Sequence, residues 1–266
     1  DMVRAFEMGA NDYVTKPIDL AVVLARVRTQ LSLKEGADEV RKLAGQLELR
    51  NVFIRKTFGR YLSDEIVDNL LATPEGLHLG GEKRRVAVLM SDLRGFSTIS
   101  ERLEPEQVVT LMNNYLSVMT DVITRHQGTI DEFIGDAILT IFGAPVKRED
   151  DTARAVACAL DMQLAMEQVN SWNREHGLPN VEMGLGIHTG EVVVGNIGSR
   201  KRSKYAVVGA PVNLAARIES YTLGGQVLIS EETLDEVRDL ATIKGSFDVS
   251  PKGVPRVITL HEVEAM

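Results

Sequence analysis

Cysteine is nearly absent from this sequence: Cys158 stands alone among 266 residues. No intrachain disulfide and no multi-cysteine zinc site can form from it, and a reducing compartment, the cytoplasm, is the expected location. Aromatic residues are few, 5% with one tryptophan. Long apolar runs are missing as well. Stretches such as Val86–Met90 fall far short of the ~20 residues a membrane-spanning helix needs, and nothing at the N-terminus reads as a signal peptide. The first residue is Asp1, so a fragment of a larger chain is expected. Positive charge is in deficit, with 30 Lys and Arg against 38 Asp and Glu and a formal charge of −8, which disfavours general binding to nucleic acid or anionic membranes. What is present, 44% apolar and 26% charged residues, is the make-up of a soluble globular protein with room for one substantial domain and smaller pieces.

Three regions follow from the pattern: 1–34, 35–60 and 61–266. In the first, a short helix end, a strand and a helix are expected, with Gly9-Ala10-Asn11-Asp12-Tyr13 leading to Lys16-Pro17. These residues resemble the last third of a response-regulator receiver domain, in which the lysine pairs with a phosphorylated aspartate and the Lys-Pro peptide is often cis. The resemblance implies an upstream phosphorelay partner for the full-length protein. The strands that carry the aspartate are not in this sequence, so the segment is expected neither to accept phosphate nor to fold alone.

Residues 35–60 read as a polar helix. Leu33, Val40, Leu47, Ile54 and Tyr61 recur at every seventh position, which aligns them on one stripe as a coiled-coil seam requires. The alternate seam positions are poor, since Leu43 is followed by Arg50 and Thr57. A parallel dimeric signalling helix and a monomeric helix packed on its own domain both remain open.

Beyond the breaks at Thr73-Pro74 and Gly80-Gly81, strands and helices alternate. Strands are expected at 86–91, 129–134, 137–142, 181–188, 191–197, 205–208 and 226–229, with two more at the C-terminus. Helices are expected from Pro105 to the stop at Gly128, over 150–176, over 212–221 and from Glu231. This order predicts an α+β domain, an antiparallel or mixed sheet with helices on one face.

Asp92 follows an apolar strand, and Asp136 shares a tight turn with Gly135 between two strands. Two carboxylates at neighbouring strand ends suit Mg²⁺ or Mn²⁺, hard ions that prefer oxygen and share their coordination with substrate phosphates. The plainer reading makes Asp92 a turn cap and Asp136 a hairpin residue. Leu93-Arg94-Gly95-Phe96-Ser97 supplies a glycine turn whose backbone N–H groups can cradle a triphosphate. Asn213 and Arg217, four residues apart, share a helix face.

The surrounding text sharpens this. Val88–Ser97, then Phe133-Ile134-Gly135-Asp136-Ala137, His188–Gly198 and Val212-Asn213-Leu214-Ala215-Ala216-Arg217 together resemble the catalytic domain of class III adenylyl and guanylyl cyclases, across roughly 58–263. The resemblance implies a ferredoxin-like, palm-type sheet behind an N-terminal helical linker, and a homodimer with active sites shared head to tail. It makes Asp92 and Asp136 the ligands of two metal ions per site. It makes Asn213 and Arg217 the catalytic pair lent by the partner to orient the ribose and stabilise the reacting phosphate. Lys252 matches a phosphate-binding lysine more weakly, and a solvated turn lysine is an equal alternative.

Two positions in that family choose the purine. Glu132 stands where adenylyl cyclases carry lysine. A carboxylate accepts from guanine N1–H and its exocyclic amine, but faces another acceptor at adenine N1. Ala206, at the second position, offers no polar contact. GTP is therefore expected ahead of ATP, with an adenylyl cyclase and a catalytically silent nucleotide-sensing or dimerisation module as alternatives. A diguanylate cyclase is disfavoured, because its Gly-Gly-Asp/Glu-Glu-Phe hairpin is replaced here by Phe133–Ala137. His188 is expected to be a structural histidine, Cys158 and Trp172 core residues, and the basic run 200–204 a solvated hairpin tip.

Overall fold

The computed structural model describes residues 2–14, 16–58, 79–199 and 201–266. The chain divides into two compact units, Asp1–Tyr61 and Leu62–Met266. In the first, helix α1 (Met2–Glu7) and helix α2 (Leu20–Phe58) flank a loop that contains a cis Lys16–Pro17 peptide. Asp19 starts α2 by accepting from the Ala21 backbone N–H at 2.8 Å, the usual way to satisfy an orphan donor of the first turn. Arg26 of α2 ion-pairs with Asp12, and Tyr13 meets Phe6 edge-on. The strand expected before Lys16 does not form among the described residues. A strand needs a neighbour to receive its N–H and C=O groups, and this unit supplies none. Helix α2 continues unbroken through residue 34. Its heptad residues Leu33, Val40 and Leu47 are exposed, while the side chains of Ile54 and Tyr61 lie outside the described residues. No described helix is long and apolar enough to cross a membrane.

The second unit is built on a mixed sheet. Its strands are β1 (Gly80–Leu93), β2 (Thr129–Ile134), β3 (Ala137–Phe142), β4 (Met183–Ser199), β5 (Arg202–Val208), β6 (Val227–Ser230), β7 (Thr242–Val249) and β8 (Ile258–Ala265). They run in the order β2-β3-β1-β4-β6-β8-β7, with β5 paired to β4 beside this path. The β4–β6 pair is parallel, the other pairs antiparallel. Helices α3 (Phe96–Ser100), α4 (Pro105–Arg125), α5 (Asp151–Glu175), α6 (Ala210–Glu219) and α7 (Glu231–Val237) complete it.

Side chains of β1 alternate between two cores, as a pleated strand requires. Ala87, Leu89 and Leu93 join Leu111, Tyr115 and Met119 of α4 and Val156, Ala159 and Met162 of α5. Val86 and Val88 join Leu139, Ile141, Val192, Val194 and Ala215 of α6. Helices thus cover both faces, not one. The short α6, with Pro211 near its start and apolar residues on a single side, lies opposite α4, α5 and α7.

Two strands are longer than expected. β1 begins at Gly80, and β4 runs without a break through Thr189-Gly190, because the two pair continuously from Gly80↔Asn196 to Leu93↔Met183. The exposed half of β1, Glu82–Arg85, lacks the apolar alternation that reveals a half-buried strand, so only its partner makes it visible. Helix α4 starts as its sequence requires: Pro105 occupies the first turn, and Glu104 and Gln107 form a reciprocal capping box.

Candidate active site

The aspartates meet because of sheet register. Ser91 opposes Ile138 across the β1–β3 ladder, so the β2–β3 turn lies beside the last residues of β1. That turn has two residues, with Ile134 facing Ala137 and Gly135 at φ 64°. Positive φ at the first central position alone is the pattern of a type II′ hairpin, which favours glycine there. Asp136 then follows on the turn and accepts from the Leu93 backbone N–H through Oδ2 at 3.3 Å. Asp92 is not beyond the strand but inside its end, opposite Gly184.

Burial, a hydrogen bond to Asp136 and the charge of Asp136 push the Asp92 carboxyl up to about 7, against the pull of Arg94. Two acids held together in this way favour either a shared proton or a shared cation. The donor set fits Mg²⁺ or Mn²⁺, which take one or two carboxylates from protein and complete their coordination with phosphate oxygens and water. No cluster of three or more acidic, His or Cys ligands exists among the described residues. A closed, all-protein metal cage is therefore not what this sheet end provides.

Of the expected phosphate cradle, part is already engaged. The Leu93 N–H is used by Asp136, and the Arg94 N–H donates to Glu182 O at 2.7 Å. Gly95, in the left-handed region, caps α3 without a side-chain hydrogen bond, and the first N–H groups of a helix have no partner within it. The Arg94 side chain turns inward, ion-paired with Glu219 and 3.5 Å from Asp92 Oδ2.

Asn213 is exposed and Arg217 half-buried on α6. The Arg217 guanidinium lies against Gly253, about 3.2 Å from where a Cβ would stand there. This brings it next to the loop that carries exposed Lys252. Among the described residues Arg217 has no ion-pair partner, and nothing joins Asn213 or Arg217 to either aspartate. The chain therefore presents a pair of acids suited to a metal ion and, separately, a helix face whose Arg217 has no ion-pair partner among the described residues.

Glu132 is half exposed and bonded to Lys204 Nζ at 2.8 Å; the same ammonium lies 3.5 Å from Asp131. Ala206, two residues from Lys204 on β5, is buried. Lys204 belongs to the basic run read as a solvated tip, and its role as the partner of Glu132 was not visible from sequence, because β5 meets β2 only in the folded sheet. Glu219 escaped notice for the same reason. His188 shares a 2.8 Å hydrogen bond with Ser230, and burial pushes its pKa down, as a structural histidine requires. Cys158 is buried, with its thiol pushed up to about 12 mainly by burial, and Trp172 stacks on His176.

Comparison with known proteins shows the family. The family described as "Adenylate and Guanylate cyclase catalytic domain" matches residues 81–261. Adenylate cyclase 1 of Rhizobium meliloti (strain 1021) is 32% identical over 212 residues, 78% of this chain and 31% of that protein. Among solved structures, the guanylyl cyclase Cya2 is 55% identical with a TM-score of 0.68, covering 70% of this chain and 94% of that one. The adenylyl cyclase CyaB from P. aeruginosa is 35% identical with a TM-score of 0.67, covering 71% and 97%. The chain spans about a third of the length of the curated relatives it matches. Relatives of both purine specificities thus share this sheet. The chain belongs to the adenylate and guanylate cyclase catalytic domain family, and its chemistry is that of a nucleotide cyclase, a phosphorus–oxygen lyase.

Proposed function

We propose that this domain converts GTP, and less readily ATP, into the 3′,5′-cyclic nucleotide and pyrophosphate at sites shared between two copies of the chain. The observation that carries the reading is the division of groups within one subunit. The acid pair Asp92–Asp136 lies at a sheet end, while Arg217, a half-buried cation without a counter-ion among the described residues, lies on α6 with no contact to it. A second copy arranged head to tail would close each acid pair with the other's Asn213 and Arg217.

Two Mg²⁺ or Mn²⁺ ions, when bound, supply charge neutralisation on the triphosphate and ease loss of the 3′-hydroxyl proton. Asp92 and Asp136 would hold them. The N–H groups of Gly95, Phe96 and Ser97 would donate to phosphate oxygens, an arrangement that stabilises charge without reorganisation. Arg217, aided by Lys252, would balance the charge that gathers as the 3′-oxygen bonds to the α-phosphorus and the bond to the pyrophosphate oxygen breaks. Asn213 would orient the ribose.

Purine choice rests on Glu132. Its carboxylate, bonded to Lys204 through Oε2, offers acceptor oxygens suited to guanine N1–H and the exocyclic amine. Buried Ala206 leaves no second side-chain determinant at its own position, which favours incomplete discrimination and keeps ATP as the second substrate. In this reading α2 is a signalling helix between a receiver-type segment and the cyclase, acting in the cytoplasm below a phosphorelay partner.

Product chromatography after separate incubation with GTP and ATP, each with Mg²⁺ or Mn²⁺, tests the reading. Cyclic GMP in excess over cyclic AMP is expected, with Glu132→Lys reversing the order. Cyclic AMP alone, unchanged by Glu132→Lys, would refute the role given to Glu132. No cyclic product from a dimeric protein would favour a silent sensor.

A further inference from the structure

Arg94 sits where two parts of the subunit converge. Its Nη2 is 3.5 Å from Asp92 Oδ2 and pairs with Glu219 at the end of α6, while Nη1 donates to Thr222 O at 3.4 Å. The Glu219 side chain is 8% exposed and that of Arg94 25%. Strand β4 makes the approach possible by carrying glycine at two positions. A Cβ on Gly186 would overlap the Glu219 backbone nitrogen, and one on Gly184, opposite Asp92, would overlap Thr222 Oγ1 and come within 3.3 Å of Arg94 Nε. The end of α6 is thereby lowered onto the sheet beside the metal-type aspartate.

We infer that Arg94 is a positioning residue whose Nη2 bridges Asp92 and Glu219 while its Nη1 holds Thr222 O beyond α6, one contact acting on Asp92 and the others on α6, so that the two half-sites of a subunit are mechanically coupled. The inference rests on the shared-site reading above, in which the acids of a subunit serve one site and its Asn213 and Arg217 serve the other. Arg94 then links two different active sites of the dimer through the inside of one subunit. Arginine suits the task because its planar guanidinium sets Nη2 between the two acids while Nη1 donates to Thr222 O just beyond α6, a fixed geometry that a lysine ammonium does not offer. The buried pair is unlike a surface ion pair: removing one partner leaves an uncompensated charge.

The two actions separate in a complementing pair of subunits. One carries Asp92→Ala and contributes only its α6; the other carries Arg217→Ala and contributes only its acids. Arg94→Met in the acid-contributing subunit is expected to raise the half-saturating Mn²⁺ concentration about tenfold, the scale of outer partners of metal ligands. The same change, or Glu219→Gln, in the helix-contributing subunit is expected to lower kcat with no shift in Mn²⁺ dependence. Binding of Mn²⁺ to the purified dimer, followed by paramagnetic resonance, is expected to weaken with Arg94→Met and to be partly restored by Arg94→Lys. Unchanged Mn²⁺ affinity in folded Arg94→Met, or unchanged kcat with Glu219→Gln in the helix-contributing subunit, would overturn the corresponding action and with it the coupling. If the unmodified pair regains no activity, it is the shared site that fails, a result distinct from these.

Discussion

Asp92 joins two properties that ordinarily conflict: it is drawn into a partly buried sheet end and placed against another acid. The consequence is a pH dependence of known sign. Its folded pKa of about 7 lies above the ordinary value of 3.8, so the folded state binds the proton more tightly than the unfolded chain. Its contribution to stability therefore falls as pH rises from about 4 to about 7 and is flat above. Without metal, the melting temperature of the wild type should fall relative to Asp92→Asn across that window. Saturating Mn²⁺ should raise the wild type and leave Asp92→Asn nearly unmoved. Equal pH profiles for the two proteins would show that Asp92 is not the strained acid. Asp92 and Asp136 were legible in the sequence because strand ends and glycine turns leave local marks. Lys204 and Glu219 were not, since their partners, Glu132 and Arg94, come from strands and turns far away in the chain, and a charge alone does not say which opposite charge it will meet.

At the scale of elements, the β2–β3 hairpin is the most exposed to a single change. Gly135 at φ 64° occupies backbone space that a Cβ disfavours, with a cost on the order of 1–2 kcal/mol. Gly135→Val should lower the melting temperature by a few degrees and reduce activity more than this loss of stability explains, because Asp136 is the next residue. Activity at a temperature where both proteins remain folded separates the two effects. Retention of full activity would show that the turn need not hold its shape. The hairpin and the α4 start were read correctly because turn and capping chemistry sits in adjacent residues. The lengths of β1 and β4 were not, because their polar stretches are held by ladder hydrogen bonds that leave no side-chain pattern. The placement of α6 on the opposite face depends on the close approach of Gly184 and Gly186 to its end, a packing fact without a periodic signature.

The second unit is a cyclase-family sheet, and the proposed division of its acid pair from Asn213 and Arg217 would explain why neither group looks finished alone. The fold class could be read from the order of strands and helices, and the family from short motifs around the acids. What holds the parts in register, the continuous β1–β4 ladder and the Arg94–Glu219 tie, emerged only in three dimensions. Mixing Asp92→Ala with Arg217→Ala tests the shared site most directly. Each variant alone should form almost no cyclic GMP from GTP and Mn²⁺. After subunit exchange, the equal mixture should recover roughly a quarter of wild-type activity, since half of the dimers are mixed and each holds one intact site. A mixture as inactive as its parents, with exchange confirmed, would contradict it.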